Sequence, residues 1–165
     1  MVKLGWSVLL TLALWVAGHG VQAGETSGLP LPRFVSLRSD EVNLRTGPGV
    51  RYPIDWIYSR KDLPVEIVAE FESWRKIRDW QGTEGWVHHS MLSGRRMVVV
   101  MGSRRILRSS DADRADAVAE LEAGVVARLI QCPRNRDFCR VEISRLQGWL
   151  RRDEIWGVYK SEWIE

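Results

Sequence analysis

The feature that most constrains the fold of this chain is an internal repeat. Three pairs of anchor residues are each separated by 63 positions: Leu44 and Leu107, Trp86 and Trp149, and Leu92 and Ile155. Between these anchors, "PVEIV" and "VVARL" are offset by 61 positions, and "WRKI" and "FCRV" by 64. Small length changes that cancel are typical of duplication followed by divergence. The sequence therefore predicts two similar structural units in tandem.

Each copy has the pattern of short strands separated by turns. The first copy contains "VNLR", "LPVEIVAE", "WRKIRDW" and "GWVHH", divided by turn signals such as "GPG" and "QGTEG". Five or so short strands in about 60 residues can hide their edges only by curling into a barrel. We therefore expect an all-β protein made of two small β-barrels.

One segment departs from the strand pattern. Residues 109–124, "SSDADRADAVAELEAG", offer Ser110 as an N-cap and Gly124 as a stop, which predicts a short helical turn in the second copy. The matching segment of the first copy follows Leu44, which should point into the barrel, and it carries Pro48 and Pro53. That segment is expected to cross the barrel mouth as an irregular loop.

The first 23 residues have the features of a secretory signal peptide. Lys3 is followed by the apolar run 4–17 and by "VQA" at 21–23, a suitable cleavage site. The alternative is a retained membrane anchor, but the apolar run is shorter than the roughly 20 residues that span a bilayer. We therefore expect cleavage after Ala23, a periplasmic or otherwise exported location, and no membrane span afterwards.

The net charge is low and mixed. The chain has 24 Lys and Arg against 21 Asp and Glu, a net charge of +3 that falls to +2 without residues 1–23. A nucleic-acid binder needs a concentrated positive face. We therefore expect no nucleic-acid partner.

The two cysteines lie close together in "CPRNRDFC". In an exported protein an even number of cysteines indicates a disulfide, here Cys132–Cys139, although a pair of buried thiols is the alternative. Cys139 alternates with Val141 and Ile143, so it should face the core. A bonded pair would leave no thiol nucleophile.

The motifs "NLRTGPG" (43–49), "PVEIV" (64–68) and "GTEGWVHHSMLSG" (82–94) resemble the bacterial SH3 domain family, especially its exported SH3-like proteins. In the second copy "LRSSDAD" replaces "LRTGPG". The resemblance implies two tandem SH3-like domains, at 34–97 and 98–160, after an N-terminal extension at 24–33 and before a tail at 161–165. It also implies a binding or targeting module of the cell envelope, often associated with peptidoglycan or its processing enzymes.

Reactive chemistry has few candidates. His88 and His89 are adjacent on a predicted strand, so they should face opposite sides and cannot chelate one ion. We expect one of them to cap the turn at Ser90 or to pack beside Trp86, with a structural turn role for His88. The acidic pairs Asp40–Glu41 and Asp153–Glu154 lie in charged turns that give no reason for shifted pKa values. We therefore expect no catalytic residue, metal or cofactor.

Tryptophan is abundant, and seven of the nine follow the signal peptide. Repeat-matched apolar residues are assigned to the structural core: Leu44, Trp86, Leu107 and Trp149. On "WRKIRDW", every second side chain from Trp74 to Trp80 should face outward. In the loop after "GPG", aromatic residues stand where the second copy has Ala115 and Ala119.

Together these outward groups predict a groove on the first domain, formed by Tyr52, Trp56, Trp74, Lys76, Arg78 and Trp80. Aromatic and cationic groups suit sugar rings, peptide carboxylates or proline-rich strands. Alternatively the rings bury the interface between the two domains. The joining segment "SGRRMVVVMGSRR" (93–105) contains no flexible linker, which indicates that the domains pack closely.

The sequence thus predicts a non-catalytic envelope module that recognises peptidoglycan peptide or glycan through this groove. An adaptor that docks a wall hydrolase or transporter is the alternative from a different class. A wall hydrolase is a third, disfavoured by the absence of a free nucleophile.

Overall fold

A computed structural model describes residues 26–165 of the chain. The signal peptide expected at 1–23 lies outside these residues. The first copy forms one antiparallel sheet of seven strands: β1 (Arg33–Leu37), β2 (Val42–Arg45), β3 (Ile54–Tyr58), β4 (Pro64–Phe71), β5 (Trp74–Arg78), β6 (Glu84–His88) and β7 (Leu92–Ser93). Their order in the sheet is β3-β2-β6-β5-β4-β1-β7.

The second copy forms a second sheet of seven strands: β8 (Met97–Val100), β9 (Arg105–Arg108), β10 (Ala117–Leu121), β11 (Val126–Gln131), β12 (Phe138–Ile143), β13 (Leu146–Arg151) and β14 (Ile155–Trp156). Their order is β10-β9-β13-β12-β11-β8-β14, the same as in the first sheet with each strand replaced by its repeat equivalent. A 3₁₀ turn precedes the last strand of each sheet, at His89–Met91 and at Arg152–Glu154. The predicted duplication and the all-β architecture are confirmed.

Each sheet curls around its own hydrophobic core. The first core contains Leu37, Val42, Leu44, Val65, Ile77 and Val87. The second contains Val98, Val100, Leu107, Cys139, Val141 and Leu150. The strand alternation predicted from the sequence explains this burial, since on β5 Arg75 and Ile77 are buried while Trp74 and Lys76 are only partly covered.

The assignment of Trp86 and Trp149 to the core is wrong. Both side chains are partly exposed and lie on the outer faces of β6 and β13, because the preceding glycine occupies the inward position. A Cβ atom on Gly85 would lie 2.5 Å from the side chain of Leu44, so the core leucine fills the space beneath that glycine. Gly-Trp therefore marks a close backbone approach to the core, and the ring stands outside.

The two expected irregular segments contain strands. Residues 109–124 hold no helical segment: one hydrogen-bonded turn, from Ala115 N to Ala112 O, precedes β10. In the first copy, residues 54–58 do not cross the barrel mouth as a loop but form β3 beside β2. Pairing with a neighbouring strand outweighs the weak local signals that suggested a helix or a loop.

The two sheets follow one another without a flexible linker. β7 ends at Ser93 and β8 begins at Met97. Residues 161–165 are tied to the second sheet, because Cys132 and Ile164 exchange backbone hydrogen bonds of 2.8 and 3.0 Å. The exact domain limits of 34–97 and 98–160 stay a prediction.

The disulfide between Cys132 and Cys139 is present, as expected, and joins the ends of the loop between β11 and β12. Residues 26–165 include no helix that is both long and apolar enough to cross a bilayer.

Candidate functional site

A groove of about 600 Å³ opens on the first barrel. One wall is the loop after β2, at residues 48–51, and the other is the turn between β4 and β5, at residues 71–74. The end of β6 completes the lining with His88. The groove is therefore bounded by three segments that are distant in sequence.

The loop wall is held by its own backbone contacts. The Arg45 guanidinium donates hydrogen bonds to the carbonyl oxygens of Val50 (3.1 Å) and Tyr52 (2.8 Å). The Tyr52 ring lies directly against Gly47, where a Cβ atom would collide with it. The motif "LRTGPG" therefore has a structural role: Arg45 fixes the loop by hydrogen bonds, and Gly47 leaves space for the ring of Tyr52.

The opposite wall presents aromatic groups. Phe71 and Trp74 are cross-strand partners at the tip of the β4–β5 hairpin, and 47% of Phe71 is exposed. The Trp74 ring meets the His88 ring edge to face, with centroids 5.5 Å apart. Exposed rings that are fixed by their neighbours give a ligand apolar area at a low entropic cost.

The imidazole of His88 is oriented by the 3₁₀ turn that follows it. Its Nδ1 accepts a hydrogen bond from the Ser90 backbone N–H at 3.3 Å and lies 2.7 Å from Ser90 Oγ. Burial lowers the pKa of His88, and the charges of His89 and Arg75 lower it further. At neutral pH the ring is therefore neutral, and with Nδ1 as acceptor its proton sits on Nε2, which can donate.

The turn that carries Trp74 is braced by a buried arginine. Arg75 donates to the carbonyl oxygens of Glu72 (2.6 Å) and Trp74 (2.9 Å), and its Nε lies 3.1 Å from Glu70. Glu70 also binds Arg33 (2.6 Å) and Ser27 of the N-terminal extension. Residues 26–33 thus support the groove wall from behind.

The same position in the second barrel is closed. Phe138 replaces Trp74, and it is buried with the guanidinium groups of Arg108 and Arg151 within 5.6 Å of its ring centroid. Arg151, which replaces His88, forms a 2.7 Å ion pair with Asp113, the residue that replaces Val50. This pair, the Arg151–Asp113 latch, joins the two walls that stay apart in the first barrel.

The six residues predicted to form the groove are not brought together. Trp74 lines it, and Tyr52 packs within the loop wall. Trp56 is 55% exposed on the edge strand β3 and does not line the groove. The remaining three serve other contacts, described next.

The outward face of β5 was predicted correctly for Trp74, Lys76 and Arg78, but its cations are engaged elsewhere. Lys76 forms a 2.6 Å ion pair with Glu84, and Arg78 a 2.5 Å ion pair with Glu66. Trp80 lies beyond the end of β5 and packs against the first core.

Sequence reasoning missed Phe71, Arg51 and the groove role of His88. The structural turn role expected for His88 is confirmed, since its side chain caps the turn at Ser90, but its ring also faces Trp74. The expectation that it points away from His89 is wrong, because the strand ends at His88 and the two rings lie 4.6 Å apart. Aligning the two copies could have identified these positions, since Val50 and His88 both align with charged residues in the second copy.

No catalytic constellation is apparent in this groove. Within the described range, 26–165, no three His, Cys, Asp or Glu side chains are grouped so that they could hold a metal ion. What the groove offers is aromatic surface, an exposed cation at Arg51 and a hydrogen-bond donor at His88.

Comparison with known proteins gives one family match. A family model described as bacterial SH3 domain matches residues 38–94 and, a second time, residues 102–157. Together the two matches span more than half of the chain. No curated protein matches it.

Among solved structures, the chain is similar to NlpC1 and NlpC2 from Trichomonas vaginalis. NlpC1 is 13% identical with a TM-score of 0.36, and the alignment covers 82% of this chain and 49% of NlpC1. NlpC2 is also 13% identical, with a TM-score of 0.35 and coverage of 78% and 48%. The chain thus spans about half the length of the solved structures that it matches.

Proposed function

Because the chain belongs to the bacterial SH3 domain family, in two tandem copies, we propose that it is a non-catalytic binding module of the cell envelope. The groove of the first barrel would recognise a peptide or glycan of peptidoglycan. The family is one of binding domains, which is compatible with the absence of an enzymatic role. Export, which this proposal needs, is the expectation from residues 1–23.

The observation that carries the proposal is the contrast between the two barrels. The groove is open in the first copy and closed by the Arg151–Asp113 latch in the second. When a duplicated surface stays open in one copy and is closed in the other, the open copy is the better candidate for the binding unit and the closed copy for a supporting unit. The first barrel is therefore the binding unit in this proposal.

The chemistry of the lining suits wall polymers. Phe71 and Trp74 provide apolar faces against which sugar rings or peptide side chains can pack. Arg51 can pair with a carboxylate of a stem peptide, and Nε2 of His88 can donate to a carbonyl or hydroxyl oxygen. The lining carries one cation, Arg51, and one carboxylate, Glu72, so it favours an uncharged or zwitterionic segment over a polyanion.

A sacculus-binding experiment tests the proposal. Purified protein is incubated with isolated sacculi, and retention is compared for the parent, Trp74→Ala and Trp56→Ala. Trp74 lines the groove, while Trp56 is a more exposed surface tryptophan outside it. We expect about tenfold weaker retention for Trp74→Ala and unchanged retention for Trp56→Ala. Equal retention of all three proteins would exclude the groove.

A second candidate, the envelope adaptor, is favoured by the edge strand β3. Ile54, Trp56 and Ile57 are each about half exposed on this strand, which is the edge strand of the sheet among residues 26–165. Proximity labelling in cells separates the candidates: an adaptor predicts one dominant protein partner that is lost with Trp56→Ala, and no retention on sacculi.

A further inference from the structure

A second depression lies on the other barrel, beside the disulfide. Its volume is about 480 Å³, and it is lined by residues 134–137 of the disulfide loop, residues 160–163 near the C-terminus, and Arg152 between them. A shallower depression of about 250 Å³ continues from it and shares Asp137, Arg152 and Lys160. The combined surface is elongated, and it is separate from the first-barrel groove.

The guanidinium group of Arg152 forms the floor of the depression and donates hydrogen bonds to both walls. Arg152 donates to the carbonyl oxygens of Pro133 (3.1 Å) and Arg136 (2.9 Å) on one side. On the other side it donates to the carbonyl oxygens of Tyr159 (3.2 Å) and Glu162 (2.7 Å). Among residues 26–165, no carboxylate lies within ion-pair distance of Arg152, although its charge contributes to lowering the pKa of Glu162 in the facing wall.

The rim adds further positive charge. Arg134 and Lys160 are exposed and form no ion pair within the described part of the chain, and Arg136 makes only a 3.5 Å contact with Asp111. Of the three lining carboxylates, Glu162 pairs with Arg96 at 2.5 Å and Asp153 with Arg151 at 3.3 Å, which leaves Asp137. Positive charge therefore exceeds negative charge in the depression, and an anion is the favoured ligand.

The aromatic wall indicates more than a simple anion. Trp163 is 46% exposed, and the Arg134 guanidinium stacks 4.1 Å from its ring centroid. The backbone pair between Cys132 and Ile164 fixes this ring beside the disulfide loop. An exposed indole next to cations, with Asn135 and Ser161 as further polar groups, fits a ring that carries both hydroxyl groups and a carboxylate.

We propose that this surface, the disulfide-loop pocket, binds a carboxylated sugar, with the sugar ring against Trp163 and the carboxylate between Arg134 and Lys160. The second barrel is then a binding unit in its own right, at a surface that adjoins its closed groove at Arg151. The inference does not depend on the first-barrel groove binding any ligand.

The test is a titration of the purified protein followed by NMR, with two matched sugars. N-acetylmuramic acid carries a carboxylate that N-acetylglucosamine lacks, and the two are otherwise closely similar. We expect saturable shifts of the Trp163 indole and of residues 134–137 with N-acetylmuramic acid, and at least about tenfold weaker binding of N-acetylglucosamine.

Variants assign the binding to the pocket. Lys160→Gln and Trp163→Ala should each weaken binding of N-acetylmuramic acid about tenfold, while Arg145→Gln, an exposed arginine on the β12–β13 turn, should not change it. Equal binding of the two sugars would overturn the proposal. So would inorganic phosphate that binds as tightly and is insensitive to Trp163→Ala, or an absence of shifts at 134–137 and 160–163.

Discussion

The phenolic oxygen of Tyr159 in the second barrel donates a 2.7 Å hydrogen bond to Oε1 of Glu66 in the first. Glu66 is 4% exposed, and its other oxygen accepts hydrogen bonds from Nε (3.1 Å) and Nη2 (2.5 Å) of Arg78. A buried carboxylate is thus satisfied from both barrels at once. This contact helps to fix the relative orientation of the two barrels.

Aromatic packing surrounds this hydrogen bond. The Phe34 ring of the first barrel lies 4.8 Å from Trp156 and 4.6 Å from Tyr159 of the second. The sequence alternative assigned the rings of the predicted groove to this interface; the three rings that pack here are not among them. Of the six residues predicted to bind ligand, Arg78 contributes to this junction through Glu66.

Tyr159→Phe tests how far this bond holds the barrels together. Removing the hydroxyl takes one donor from a buried carboxylate, so we expect a loss of about 2 kcal/mol in the free energy of unfolding and looser inter-barrel order in residual dipolar couplings. Tyr58→Phe is the matched control, because Tyr58 donates to Asp79 within the first barrel at 3.0 Å. It should reduce stability without changing the inter-barrel couplings; identical couplings in both variants would contradict the orienting role.

The hydrogen bond from Tyr159 to Glu66 should contribute to stability only up to a certain pH. Burial raises the pKa of Tyr159, and the hydrogen bond to Glu66 raises it further above its ordinary value of 10. A raised pKa in the folded state means that the contribution is complete below pH 10 and is lost as the pH rises through the raised value. The junction should therefore stay intact at neutral pH.

The alternation of strand residues could be predicted from the sequence, and the direction of the Gly-Trp pair could not. The repeat offset and the period-two pattern placed Leu44, Leu107, Ile77 and Val141 in their cores. On β6, however, alternation alone shows that Gly85 and Trp86 face opposite sides, and hydrophobicity favours the large apolar ring as the core residue. Only the position of Leu44, which fills the space under Gly85, settles that the glycine faces inward.

The groove could be predicted only in part, because its walls come from segments that are distant in sequence and that the tertiary structure brings together. Trp74 was identified from its place on an outward strand face. His88 lies next to Trp74 because β5 and β6 are paired, and residues 48–51 lie near it because Arg45 holds their loop through a hydrogen bond. Neither arrangement has a local sequence pattern. Trp56 and Trp80 are residues of a type that is common in binding surfaces, but they do not line the groove.

Alanine at the two repeat-matched glycines should destabilise the barrels unequally. The three heavy atoms nearest to a Cβ on Gly85 all belong to the side chain of Leu44, which can shift, whereas a Cβ on Gly148 also lies 2.7 Å from the backbone oxygen of Arg108. We expect a loss of about 1–3 kcal/mol for each, with the larger loss for Gly148→Ala. Chemical denaturation measures both, and Gly94→Ala, whose Cβ would meet nothing within 4 Å, should be neutral. An equally large loss for Gly94→Ala would show that general backbone effects dominate.

The N-terminal extension should detach in acid. Burial acts to raise the pKa of Glu70, but hydrogen bonds from Ser27 and Arg33 outweigh it and lower the pKa to about 2. Because the folded-state pKa is depressed, the stabilisation is present above pH 4.5 and is lost as the pH falls towards 2. It amounts to at most about 3 kcal/mol. NMR titration of the Glu70 carboxyl checks this, and an ordinary pKa would contradict it.

Glu70→Gln provides the matching stability test. The amide keeps the shape of the side chain but removes the charge that pairs with Arg33, so residues 26–32 should become sensitive to protease at neutral pH. Glu120→Gln, which removes an exposed partner of Arg104, should leave both stability and protease resistance unchanged.

The Arg151–Asp113 latch can be transplanted onto the first barrel. Val50 and His88 occupy the positions of Asp113 and Arg151, so the double variant Val50→Asp, His88→Arg places an ion pair across the open groove. We expect the double variant to fold with near-parent stability, because exposed ion pairs contribute little, and to lose sacculus retention at least tenfold. The reciprocal variant, Asp113→Val with Arg151→His, removes the latch from the second barrel. Full retention by a folded Val50→Asp, His88→Arg protein would show that the groove is not the binding surface. Loss of retention in the reciprocal variant alone would move the binding function to the second barrel, whose pocket beside the disulfide would then be the first place to look.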